Sequence, residues 1–189
     1  SALLAGCDVL FSEDMQDGTR IDGMSAWNRA HRGLGRTFQI TRLFREMTVL
    51  ENVVAPLRDF QFRQLGLGAV SGSEASRAEE LLEFVGMTAY RDACAGSLSY
   101  GQQKLVELAQ VLMLDPKLIL LDEPAGGINP TLIERMGDLI RSLNAQGATF
   151  LLVEHNMPFV VGLCDPIRVL ARGAVIAEAA GRARRRHGE

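Results

Sequence analysis

Leu118-Ile119-Leu120-Leu121-Asp122-Glu123-Pro124 is a run of four aliphatic residues closed by two carboxylates and a proline. A run this short and wholly apolar suits a strand buried on both faces of a parallel sheet. Its carboxylates fall just beyond a strand's carboxyl end, where open α/β sheets place their ligands. Downstream, Asn129-Pro130 reads as a helix N-cap with proline at the first helical position. Leu132, Met136, Leu139, Ile140 and Leu143 then line one helix face, and Gly147 ends it. Residues 149–153 form a second apolar strand, ending in Glu154-His155. A short helix over 158–163 follows, then strands over 167–170 and 174–177 around Arg172-Gly173. This alternation predicts a parallel α/β sheet from about residue 115 onward.

Upstream, residues 7–11 read as a short strand, with Asp17-Gly18 turning into a hairpin at 19–21. A brief helix over 26–32 is closed by Gly33, and 36–40 reads as a strand. Thr48 and Glu51 have capping-box spacing, and Leu50, Val53, Val54 and Leu57 follow at helical intervals. The Gly- and Ser-rich stretch 65–73 reads as a loop. Ala78, Leu81, Leu82 and Val85 form another apolar face, with Gly86 as the stop. Helix 99–114 turns Leu105, Leu108, Ala109 and Leu112 inward. Residues 48–98 therefore read as a helical insertion.

The 189 residues are 47% hydrophobic and 23% charged, enough for one globular domain with a real core. No apolar run approaches the roughly 20 residues that span a bilayer. The net charge of −3 gives no basic field for nucleic acid. Cys7, Cys94 and Cys164 are far apart and odd in number, so neither a disulfide framework nor a CxxC zinc site is expected. Buried, reduced thiols are the expectation instead. The run Arg182, Arg184, Arg185, Arg186 reads as a solvated tail.

Four sites carry chemistry, each with a plainer alternative. Asp122 and Glu123 are placed to hold a metal and activate a water, or simply to end a strand in an acidic turn. Ser99-Tyr100-Gly101-Gln102 opens a helix. It is either a capping box or an anion-binding helix mouth, and spacing alone does not separate them. His155 at a strand end reaches toward the same region or is merely a polar terminus. Gln39, in Arg36-Thr37-Phe38-Gln39, is a strand-end residue or an ordinary turn residue.

In order and spacing, the set resembles the ATPase subunit of ABC transporters. Gln39 matches the Q-loop, Leu98–Gln103 the signature motif, Leu118–Glu123 the Walker B strand, Ala125–Asn129 the D-loop and His155 the switch histidine. Tyr100 in the signature, the Gly-Gly-Ile-Asn129-Pro130 ending and Val153-Glu-His-Asn-Met157 are similar to branched-chain amino acid importers. The resemblance implies an α/β P-loop-type parallel sheet with a helical insertion and a small antiparallel β region at the N-terminus. It divides the chain into an N-terminal β remnant with the Q-loop (1–47), a helical subdomain (48–114), an α/β core (115–178) and a basic tail (179–189).

The resemblance also implies roles. ATP and Mg2+ are the cofactors. Asp122 and Gln39 serve the metal, and Glu123 is the general base. His155 meets the γ-phosphate, and Gln39 also orients the nucleophilic water. Ser99, Gly101 and Gln102 clamp the phosphates of a second subunit's nucleotide, with Asn129 in the D-loop. The implied partners are a second ABC ATPase subunit and transmembrane permease subunits, the latter docking around 39–48. There is no nucleic acid and no direct membrane span. The implied location is the cytoplasmic face of the plasma (inner) membrane, held peripherally. A second reading is a non-catalytic module that offers its signature helix to an intact ATPase subunit. An ABC ATPase of DNA repair ranks behind both, because the sequence has neither a coiled-coil insertion nor a basic surface signal.

One family element does not occur in the sequence. No Gly-x-x-x-x-Gly-Lys-[Ser/Thr] is present, and Lys104 and Lys117 are the only lysines. The chain is expected to begin just after the P-loop helix, to lack a central strand and to be marginally stable. The tail beyond about residue 179 is expected to depart from the family's usual ending. Hydrogen bonds to charged groups contribute roughly 1.5–3 kcal/mol each. Losing four removes roughly 6–12 kcal/mol, whereas millimolar to micromolar binding amounts to only about 4–8 kcal/mol. Titration calorimetry of the 189-residue polypeptide is therefore expected to show no micromolar, Mg2+-dependent ATP binding.

Overall fold

The computed structural model describes residues 23–37, 41–57, 72–172 and 174–179. Its centre is strand β2 (Leu118–Asp122), in which Leu118, Ile119 and Leu121 are buried. β2 is flanked by β1 (Leu34–Arg36) and β3 (Thr149–Val153), both parallel to it, giving the order β1-β2-β3. Leu34 pairs with Leu118, and Asp122 pairs with Val153. The register brings the carboxyl ends of β2 and β3 level, which sets up the site.

Helix α1 (Ala26–His31) starts at its Ser25 cap, and Gly33 beyond it has φ +90°. β1 begins earlier than the sequence pattern predicts. Gly35 lies so close to Val111 and Pro116 that no side chain fits there, and Thr37 N–H extends the ladder to the Leu120 carbonyl at 2.9 Å. Residues 38–40, the expected end of that strand, lie outside the described residues, as do the strand and hairpin expected over 7–21.

The insertion between β1 and β2 is helical, as expected. α2 (Val49–Val54) carries the Thr48–Glu51 capping box, with both reciprocal bonds formed. α3 (Gly72–Phe84) begins within the stretch read as a loop. Glu74 in its first turn favours the helix N-terminus, and the Ser76 hydroxyl bonds back to the Gly72 carbonyl. α4 (Tyr100–Leu112) and α5 (Pro130–Ala145) start at Ser99 and Asn129. α6 (Met157–Leu163) starts at Asn156.

One continuous core joins the insertion to the sheet. It includes Val53, Leu82, Val106, Leu108, Ile119, Leu121, Met136 and Phe159. Each fully buried aliphatic side chain contributes roughly 1.5–3 kcal/mol. Asn52 is wholly buried beside it, yet fully engaged. Its side chain accepts from Phe44 N–H at 2.8 Å and donates to the Phe44 and Thr48 carbonyls at 3.0 and 2.9 Å. The segment around Phe44 is thereby fastened to α2.

The alternation beyond residue 115 does not continue the parallel sheet to its end. β4 (Ile167–Ala171) and β5 (Ala174–Ala179) form a separate antiparallel pair. Only Ile167 of the two strands is buried, so neither is covered by the core on both faces as a strand inside a parallel sheet is. This is the small antiparallel region that is described; the one expected at the N-terminus falls in residues 1–22, outside the description. Cys94 is exposed rather than buried, because it sits on the surface turn before residues 95–97. Cys164 is half-buried, and burial pushes its thiol up.

Gly86 ends α3 at φ +64°, and a Cβ there would strike the Arg135 guanidinium, which donates to the Val85 carbonyl at 2.8 Å. The left-handed conformation alone costs a residue with a side chain about 1–2 kcal/mol. Gly86→Ala is expected to lower the midpoint of thermal unfolding by about 4–12 °C. In an Arg135→Ala background the collision is absent, and the additional loss is expected to shrink to the backbone cost.

Candidate functional site

The site forms where β2 and β3 end. Glu123 follows β2 directly and leaves it at φ +48°, a left-handed conformation that a residue with a side chain rarely adopts. Three backbone-directed bonds hold it there. Its N–H donates to the Val153 carbonyl at 2.9 Å, prolonging the pairing with β3. Its carbonyl accepts from Gly126 N–H at 3.0 Å and from the Lys104 ammonium at 2.6 Å. With the main chain fixed, the carboxylate lies across from the next strand's terminus. Glu123 Oε1 is 3.9 Å from Nδ1 of His155. The imidazole is three-quarters exposed, while the Glu123 side chain is about two-thirds covered.

Asp122 is the last residue of β2. Its N–H donates to the Thr37 hydroxyl at 3.4 Å, and its carboxylate is 3.7 Å from the Arg36 guanidinium at the end of β1. Thus β1, β2 and β3 each contribute a polar end group to one rim. Among the described residues, no group of three or more His, Cys, Asp or Glu side chains is placed to enclose a metal. A partly exposed carboxylate such as Asp122 still fits Mg2+, a hard cation that keeps several waters and takes one or two protein carboxylates.

Beneath the rim lies Glu154, whose side chain has no exposed surface. Oε1 accepts from Ala125 N–H at 2.8 Å, and Oε2 accepts from His155 and Asn156 N–H at 2.8 and 2.9 Å. It joins the turn after β2 to the turn after β3. Neither Glu154 nor Lys104 is among the residues to which the sequence motifs give a role. A signal for Lys104 was available: it stands at helical spacing with Gly101, Leu105 and Leu108 on the inward face of α4.

The signature residues occupy the first turn of α4. Ser99 N–H donates to Gln102 Oε1 at 2.9 Å, and Gln102 N–H donates to Ser99 Oγ at 3.4 Å. The capping box is therefore formed. Gly101 is buried, and a Cβ there would run into Leu132 of α5, so its smallness serves helix packing. Tyr100 packs toward Gly127; burial first, then the Glu107 and Glu123 carboxylates, pushes its phenol up. Asn129 accepts from Leu132 N–H at 2.9 Å as the cap of α5. Asp122, Glu123 and His155 are thus brought together, while Ser99, Gly101, Gln102 and Asn129 sit on two packed helix starts beside them. Gln39 lies outside the described residues.

Comparison with known proteins gives a consistent picture. Residues 8–126 match the family described as ABC transporter. The chain is 38% identical over 170 residues to LivG of Escherichia coli K12, a high-affinity branched-chain amino acid transport ATP-binding protein, covering 83% of the chain and 65% of LivG. It is 37% identical over 175 residues to BraF of Pseudomonas aeruginosa, a protein of the same description, covering 86% of the chain and 67% of BraF. The chain thus spans slightly less than two thirds of LivG's length. Among solved structures, a nucleotide-free ATP-binding cassette from an ABC transporter aligns with a TM-score of 0.76 at 33% identity, covering 86% of this chain and 67% of that one. A dimeric cassette in a post-hydrolysis state, bound to ADP and Pi, aligns with a TM-score of 0.73 at 29% identity, covering 87% of this chain and 71% of that one. On the family match over residues 8–126 and these identities over most of its length, the chain belongs to the ABC transporter family.

Proposed function

We propose that this sequence supplies the hydrolytic and signature elements of an ATP-hydrolysing subunit of a branched-chain amino acid importer. The observation that carries the proposal is the 3.9 Å approach of Glu123 to His155 at adjacent strand ends, with Asp122 beside them. The names of LivG and BraF support the transport assignment and the substrate class.

In this reading Glu123 accepts a proton from the attacking water, a role typically worth about 10²–10⁴ in rate. His155, three-quarters exposed, donates a hydrogen bond to the terminal phosphate. Asp122 holds Mg2+ through its water shell, and Gln39 contributes to the same metal and water. Mg2+, when bound, neutralises charge on the β- and γ-phosphates. Ser99, Gly101 and Gln102 present a helix N-terminus to the phosphates of the opposing subunit's nucleotide, and the D-loop with Asn129 lies at that junction. The dimeric post-hydrolysis cassette supports such pairing. No described helix is long and apolar enough to cross a membrane. Membrane attachment at the cytoplasmic face would come through permease subunits docking near 39–48.

The test is to append a family P-loop segment to the N-terminus and measure ATP turnover. Hydrolysis is expected in that fusion, and Glu123→Gln is expected to lower it by at least about 10². Unchanged turnover in Glu123→Gln would remove the catalytic assignment. Ser99→Arg is expected to abolish co-purification with an intact homologous subunit while leaving the thermal midpoint within a few degrees.

A further inference from the structure

Lys104 is 4% exposed, one turn inside α4, and its ammonium stands 5.3 Å from the centre of the Tyr100 ring. A lysine so buried is uncommon without partners. Its 2.6 Å bond goes not to a side chain but to the main-chain carbonyl of Glu123, the carbonyl that also receives Gly126 N–H. Two residues along, the fully buried Glu154 takes the Ala125 amide at 2.8 Å. A buried cation therefore grips one peptide of the turn and a buried anion grips another. Glu107, 4% exposed, adds a further negative charge near the ammonium.

We infer that Lys104 and Glu154 are positioning residues: an internal clamp that keeps Glu123 in its left-handed conformation and makes its aim depend on the placement of α4. Only the catalytic meaning of that aim rests on the proposed function. A main-chain conformation of this kind is strained and persists only where its surroundings over-determine it. The clamp supplies that determination from both sides. Because Lys104 and the signature residues share one helix, a shift of the signature turn pulls directly on the Glu123 carbonyl. A strand-end carboxylate and a helix mouth assigned to different nucleotides are thus mechanically joined within one chain.

Amide hydrogen exchange of the 15N-labelled 189-residue polypeptide tests this. Lys104→Met keeps the volume and removes the charge, whereas Lys104→Arg keeps the charge. Met is expected to speed exchange of the Ala125 and Gly126 amides at least tenfold, with Leu81 and Leu82 in α3 unchanged. Arg is expected to hold both amides within threefold of the wild type. Glu154→Gln is expected to release Ala125 at least tenfold. Wild-type rates in Lys104→Met, or equal loss in Arg and Met, would overturn the clamp. If the Met variant does not fold, the wild type itself decides. Lys104 should show a slowly exchanging ammonium signal with an Overhauser contact to the Gly126 amide, and exposed Lys117, the only other lysine, should not. A solvent-like Lys104 signal would equally sink the inference. None of these readouts needs nucleotide, so failure of the clamp and failure of the ATPase reading are seen separately.

Discussion

The Glu123 peptide is held by the Val153 carbonyl on one side and by Lys104 and Gly126 on the other, and the site depends on that grip. Without it the residue after β2 would relax toward extended or right-handed backbone, the states that sterics favour. The carboxylate would then leave the imidazole. The grip in turn requires β2 and β3 to end in register, which the pairing of Asp122 with Val153 secures. That register rests on the face of β2 that carries Ile119 and Leu121, which are buried and have no place to slip to.

Burial and polarity cooperate around this turn rather than compete. Lys104, Glu107 and Glu154 are all withdrawn from water, and burial holds the lysine below its ordinary range while the carboxylates nearby oppose that shift. Isolated buried charges are costly, but here Lys104 and Glu154 each meet a backbone dipole of the turn after β2. Asn52 applies the same logic elsewhere, converting a wholly buried amide into an anchor for the chain around Phe44 and Thr48.

Much of this was legible from residue types and spacing. Asn129-Pro130, Thr48 with Glu51 and Ser99 with Gln102 fixed three helix starts because capping is local chemistry. The aliphatic run ending at Asp122-Glu123 located the central strand and its carboxylates. What escaped reading depends on contacts distant in sequence. The departure of β4 from the parallel sheet follows from exposure that no short window reveals. Lys104 and Glu154 find partners 19 and 29 residues away: helical spacing turns Lys104 inward, but nothing local names the peptide group that either one meets. Gly35 likewise owes its smallness to Val111 and Pro116, far along the chain.

The close approach of Gly101 to Leu132 has a consequence for genetics. A bulkier residue there must displace the Leu132 side chain between two packed helices, so part of the phenotype would be lost abundance through proteolytic clearance. Alleles at this codon would look like simple losses of function while reporting on protein turnover in the cell. Screens that count survivors would mistake one for the other unless they also weighed how much polypeptide remained.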